Sequence, residues 1–232
     1  MNFDSSGAYK VATSPSEFIV HVGGAPCFGV GRDGTFVNHL MVDENGKGAY
    51  RRGKNVVHTI QLLRNILGKG RKAIPDIGKY LSEIEVVNVP GHSCHSMITD
   101  PCGNTWVVEP GRGVMRSPAA ESPYYVMTNF SLWDLQERGT PDGSGADRYK
   151  AAHQMLGEAD TLDVRGAFDI LQATAQTGGP YPTVFSMVYA PAEQAVYYLL
   201  PNKGANRGSM DAPIDKGEAA CSIKVYPVFR HP

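Results

Sequence analysis

Cysteine is scarce in this chain. Four residues, Cys27, Cys94, Cys102 and Cys221, are spread over 232 positions without the paired spacing of a disulfide scaffold, so free thiols are expected. Long apolar runs are missing as well: nothing approaches the ~18 residues needed to cross a bilayer. No basic-then-apolar leader opens the chain, so a cytoplasmic location is favoured. Charge of one sign is not in excess. A formal net charge of -1 leaves no global field to draw nucleic acid or an anionic membrane, and neither is expected as a partner. The expected partner is a small molecule, with a homo-oligomer also open, and no cofactor is expected.

What the chain does have is apolar residue at 42%, enough to bury a substantial core, and 26 glycines and 16 prolines that punctuate it into short elements. Alternating or apolar runs predict strands over Glu17 to Val22, Thr35 to Val42, Thr105 to Glu109, Tyr124 to Thr128, Val184 to Tyr189 and Ala195 to Leu200. A helix is predicted from about Lys54 to Leu67, with Val57, Ile60, Leu62 or Leu63 and Leu67 at helical spacing and Gly68 as its stop. A helical pair follows, Ala146 to Leu156 and Asp163 to Ala173. Asp163 is its N-cap, and Val164, Ala167, Phe168 and Leu171 form the buried stripe of the second helix. Between these, HSMITDPCGNTWVVEP reads as a hairpin turning at Asp100 to Asn104. Clustered strands with helices between the clusters predict an α+β layered architecture in one domain spanning 1–232.

Four stretches could carry chemistry. His92, Cys94, His95 and Cys102 supply soft N and S donors, but their spacing matches no standard zinc pattern and their place in a strand and its turn argues for ordinary residues. No metal is expected. The segment Lys47 to Lys72 holds Lys47, Arg51, Arg52, Lys54, Arg64, Lys69, Arg71 and Lys72 with no acidic residue, which could face an anion or be a solvated helix face. Asn129, in MTNFSLWD, could be a turn residue bonding its own backbone or a neutral donor to developing negative charge. Arg148 opens a helix after PDGSGA, where its charge is mismatched to the positive end of the dipole unless an anionic group holds it.

Taken in order, NFD at Asn2 to Asp4, HSMITDPCGNTWVVEP, VMTNF at Val126 to Phe130 and DGSGADRYKAAHQML at Asp142 to Leu156 resemble the linear amide C–N hydrolases. This is the choloylglycine hydrolase and penicillin V acylase-like family of N-terminal nucleophile hydrolases. YPTVFSMVYAPAEQAVYYL resembles the family's late hairpin. The resemblance implies a four-layer αββα sandwich. It also implies hydrolysis of a small acylated amine, bile-salt-like or penicillin-like amide by an N-terminal Cys, whose own α-amino group serves as base. It assigns Asn129 as oxyanion donor, Asp4 as the carboxylate that orients nucleophile and amine, and Arg148 as the cation completing the polar network. Asn2 receives a positioning or substrate-binding role. In the family the Cys lies one strand and turn upstream of the triplet, and Met1 stands where Arg is common, so an N-terminally shortened sandwich is expected. The implied alternative is a non-catalytic descendant that binds an amide or carboxylate. Specificity would lie in loops such as Pro141 to Ala146 and Pro201 to Pro213.

Overall fold

The computed structural model describes residues 1–4, 8–42, 55–68, 74–201 and 221–227. In chain order the strands are β1 (Asn2–Asp4), β2 (Tyr9–Thr13), β3 (Glu17–Val22), β4 (Ala25–Gly31), β5 (Phe36–Met41), β6 (Asn55–His58), β7 (Ile84–Val87), β8 (Cys94–Thr99), β9 (Thr105–Glu109), β10 (Gly113–Ser117), β11 (Thr183–Ala190), β12 (Ala195–Pro201) and β13 (Cys221–Pro227). The helices are α1 (Thr59–Ile66), α2 (Ile77–Glu83), α3 (Leu132–Arg138), α4 (Ala146–Glu158) and α5 (Val164–Ala173). The class is α+β, as expected. Internal contacts group the chain into a terminal unit, residues 1–8 with 151–232, and a mid-chain unit, residues 9–150.

The mid-chain unit is built on a seven-stranded sheet in the order β10-β9-β8-β5-β4-β3-β2, every neighbouring pair antiparallel. Successive residues of a strand point to opposite faces, which separates two cores. Ile19, Val37, Ile98, Trp106 and Val108 face α1 and α2 and pack with Leu62, Leu63, Ile66 and Leu81. The other face brings Val107 against Met127, Phe130 and Leu132. Because both faces of β9 are covered, all five of its residues are buried, and its apolar run is continuous rather than alternating. The hairpin between β8 and β9 forms as predicted. Asp100 Oδ1 accepts from the backbone N–H groups of Cys102 and Asn104, both at 2.9 Å, and this side-chain turn sets Thr99 opposite Thr105.

Two predicted elements take another form. Asn55 to His58 is not helix but the strand β6, paired parallel with β7; its β-branched Val56 and Val57 suit a strand, and the helix starts only at Thr59. Lys54 lies outside the described residues, as do Lys47, Arg51, Arg52, Lys69, Arg71 and Lys72. Tyr124 to Thr128 is irregular backbone with no ladder partner among the described residues. Its apolar side chains, Tyr125 and Met127, join the core beneath β9, and the Thr128 carbonyl is satisfied by a histidine side chain instead of a strand. The helical pair is observed at α4 and α5, and Asp163 caps α5 by accepting from Gly166 N–H at 2.7 Å. Of the predicted stripe Phe168 is buried and Val164, Ala167 and Leu171 are half-buried, and Ile170 is buried beside them.

The terminal unit carries a four-stranded sheet in the order β1-β11-β12-β13. β1 pairs antiparallel with β11, and Phe3 stacks on Phe185 with ring centroids 4.3 Å apart. The register shifts between Phe3 and Asp4, where β11 carries one extra residue opposite β1.

His39 is buried under the start of α1, its Nδ1 2.8 Å from Ser96 Oγ. Burial, with the charge of nearby His95 adding to it, lowers its pKa from 6.5 to about 4. The unfolded chain therefore takes up this proton at a higher pH than the folded one. Stability owed to the neutral ring is complete above pH 6.5 and is lost as pH falls towards 4. Replacing His39→Gln keeps a hydrogen-bonding group without the titration. In chemical denaturation series it is expected to remove about 3 kcal/mol of the stability change between those two pH values.

Candidate active site

The site begins with a buried charge. Glu109, the last residue of β9, has no exposed surface, and a carboxylate there must be answered by donors. Its Oε2 accepts from Ser131 Oγ at 2.6 Å, and its Oε1 from Leu132 N–H at 2.6 Å, which is the first N–H of α3. Ser131 is also the N-cap of α3 and accepts from Asp134 N–H at 3.2 Å. His95, likewise without exposed surface, places Nδ1 3.5 Å from Glu109 Oε1. Burial alone would push the Glu109 pKa up. The His95 ring and the bonds from Ser131 and Leu132 together outweigh it, so the carboxyl is held below the usual range.

His95 passes this anchorage on. Its Nε2 lies 2.6 Å from the Thr128 carbonyl, which can only accept, so Nε2 carries the proton. Thr128 Oγ1 in turn donates to the Gly145 carbonyl at 3.0 Å, linking the irregular 124–128 segment to the start of α4. The next residue is Asn129. Its Oδ1 accepts from Arg148 Nη2 at 3.0 Å and its Nδ2 donates to the Met41 carbonyl at 2.7 Å. A guanidinium only donates and a carbonyl only accepts, so these two neighbours fix which way the Asn129 amide points. One Nδ2 hydrogen remains without a partner among the described residues.

Gly145 makes the Arg148 position possible. It sits at φ +80, which side chains disfavour, and a Cβ there would lie 2.7 Å from Arg148 Nη2 and 3.2 Å from Thr128 Cβ. Arg148 therefore lies across bare backbone, and the group that holds it at a helix start is the neutral Asn129 carbonyl rather than the anion the dipole argument anticipated.

In the terminal unit, Asn2 is fully engaged. Its Nδ2 donates to the Leu171 carbonyl at 2.8 Å, at the end of α5, and its Oδ1 accepts from Ser186 Oγ at 2.5 Å. It thus satisfies one of the open carbonyls of that helix end while bracing β1 on β11. Asp4 follows the bulge, opposite Thr183.

The cysteine and histidine cluster does not assemble. Adjacent strand residues Cys94 and His95 point to opposite faces, and among the described residues no three His, Cys, Asp or Glu side chains converge as a metal set. Burial raises the Cys94 pKa to about 11. The Cys27 thiol donates to the Val20 carbonyl at 3.3 Å inside the sheet.

Glu109, Ser131 and Gly145 were not singled out from the sequence as site residues, and His95 was weighed only as part of a cysteine and histidine cluster. Two signals stood in it: a lone acid closing an otherwise apolar strand, TWVVE, and the Ser-x-x-Asp spacing of SLWD, which marks a helix start.

No family model matches the chain, and no curated protein matches it by sequence. Solved structures do. Conjugated bile acid hydrolase from Clostridium perfringens, in two single-residue variants, aligns over 97% of this chain and 86% of its own at 17% identity, with TM-scores of 0.61 and 0.57. Penicillin V acylase from Agrobacterium tumefaciens aligns over 85% of this chain and 76% of its own at 13% identity and TM-score 0.59. The chain has a choloylglycine hydrolase and penicillin V acylase-like fold. Within this fold Asn129 and Arg148 are in direct contact, while Asn2 serves as a brace in the terminal unit.

Two substitutions probe the arrangement. Glu109→Gln faces the Ser131 and Leu132 donors with an amide that cannot accept from both as a carboxylate does. It is expected to lower the unfolding free energy by about 3 kcal/mol, read from denaturant midpoints. Gly145→Ala combines a disfavoured φ with a clash against Arg148. A loss of about 1–3 kcal/mol in thermal unfolding is expected, together with a shift of the Arg148 guanidinium resonances in NMR spectra.

Proposed function

We propose that this chain is an amide (C–N) hydrolase-like protein, built as a four-layer αββα sandwich, that binds a small acylated amine, a bile-salt-like or penicillin-like amide. The observation that carries this reading is the Asn129 carboxamide, locked between Arg148 and the Met41 carbonyl with one N–H left unused. A neutral donor held rigid by its neighbours stabilises an amide oxygen as it gains negative charge without needing to reorganise, and that is where catalysis of acyl transfer gains most. Arg148 adds positive charge beside that donor through Asn129 Oδ1. Asp4, beside the register shift with β11, is proposed to orient the attacking group and its amine, and Asn2 to hold β1 in place for it. The structural neighbours, one acting on conjugated bile acids and one on penicillin V, support the substrate class by their fold.

None of the described free cysteines offers a nucleophile of this kind. The Cys27 thiol is bonded within the sheet, the Cys94 thiolate is disfavoured by burial, the exposed Cys102 sits in the β8–β9 turn, and none of them carries a free α-amino group to act as base. That observation favours a second reading, in which the same Asn129–Arg148 pair binds an amide or carboxylate without turning it over.

One assay separates the two. The chain is incubated with a glycine-conjugated bile salt and with penicillin V, and both release of the acid product and equilibrium binding are measured. The hydrolase reading expects turnover that falls about 100-fold or more in Asn129→Ala, as for loss of an oxyanion donor. The binding reading expects saturable binding without turnover, lost in Asn129→Ala and Arg148→Gln. Absence of both binding and turnover for every such amide would sink both.

A further inference from the structure

An open cleft of about 770 Å³ lies on the helix-covered face of the mid-chain sheet, within the range of roughly 300–1,000 Å³ usual for small-molecule sites. Its floor comes from β3, where Glu17, Ile19 and His21 alternate onto one face. Ile19 belongs to the core beneath α1, so this is the face opposite to that carrying His95, Glu109 and Val107. The cleft is therefore separated by the thickness of the sheet from the Asn129 and Arg148 arrangement. Ala12, Ile60, Val89 and Pro90 supply apolar walls.

We infer that this cleft is a second small-molecule site, and that it takes an organic carboxylate with an apolar body. Two features of this cleft converge on an anion. α1 starts at the wall of the cleft with His58 as an N-cap that makes no side-chain capping bond, and no acidic residue occupies its first turn. Nothing within the helix itself offsets the positive end of its dipole. Arg64 is the second. It makes no ion pair among the described residues, and helical side chains lean towards the N-terminus, which brings its guanidinium back along the same wall past Gln61. His21 lines the same wall, and its ring is held by a backbone hydrogen bond to Lys10. Burial and then the nearby Arg64 charge lower the His21 pKa, which agrees with the two side chains sharing one wall. Glu17 is the one carboxylate in the lining, so the ligand's own carboxylate is placed at the Arg64 end and its apolar body over Ile19, Ile60 and Val89.

This inference does not depend on the hydrolase reading, and its test separates the two. Calorimetric titration of the full chain uses 4-phenylbutyrate, and its neutral counterpart 4-phenylbutyramide as a matched control. The carboxylate is expected to bind one to one and the amide about tenfold or more weakly, the difference a charge-assisted bond makes. Arg64→Gln, at an exposed position where folding is not at risk, is expected to weaken the carboxylate by a similar factor of about ten. Asn129→Ala is expected to leave this binding unchanged. No heat at millimolar carboxylate, equal affinity for acid and amide, an unaffected Arg64→Gln, or loss of binding in Asn129→Ala would each overturn the assignment.

Discussion

A charged carboxylate at zero exposure is the most demanding requirement in the mid-chain unit, and the local structure around Glu109 is arranged to meet it. The groups around it come from places that would otherwise be independent: donors at a helix start, Ser131 and Leu132, and the His95 ring 3.5 Å away in a strand interior. Removing water from this group makes every unmet bond expensive, so the three elements are coupled in position. The irregular stretch before α3 inherits that precision through the Thr128 carbonyl, which is how a segment without strand partners can still present Asn129 in one orientation.

The two faces of the seven-stranded sheet do different work. One packs an apolar layer under α1 and α2, with His39 buried and its pKa lowered inside it. The other holds the polar chain from Glu109 to Arg148 between aromatic and methionine side chains, including Phe130 packed edge-to-face on Tyr149 with centroids 5.3 Å apart. A sheet can keep a polar arrangement and an apolar core within a few ångströms because its side chains alternate, so neither layer has to accommodate the other's chemistry.

Much of this was legible from residues alone. The runs at β3 and β9 and the β8–β9 turn carry their own signals, period-two or apolar patterning closed by an Asp-Pro-x-Gly-Asn turn, and they stand where expected. β4 was not legible: APCFGVG reads as punctuation, yet a Cβ at Gly29 would lie 2.6 Å from Leu67 Cδ1, so the glycine is there to let the helix end approach a strand. β6 was hidden inside a helical periodicity, because two valines fit either period and only the parallel partner β7, which follows α1 and α2 in the chain, decides between them. The contact of Arg148 with Asn129 was suggested by resemblance. The Glu109 anchorage was not, since nothing local in TWVVEP says which donors a folded chain will bring to that acid.

The pairing of β1 with β11 has a bearing on how the chain is made. Asn2 and Ser186 stand side by side although almost the whole polypeptide separates them, whereas residues 9–150 form one uninterrupted segment. Closing so long a loop is slow compared with the nearer pairings of the mid-chain sheet. During synthesis the mid-chain unit can complete its core while β1 waits, unpaired on its ladder edge, until β11 has been made. The order of assembly is thus set by topology: a strand made before the mid-chain unit finds its partner only after that unit is complete.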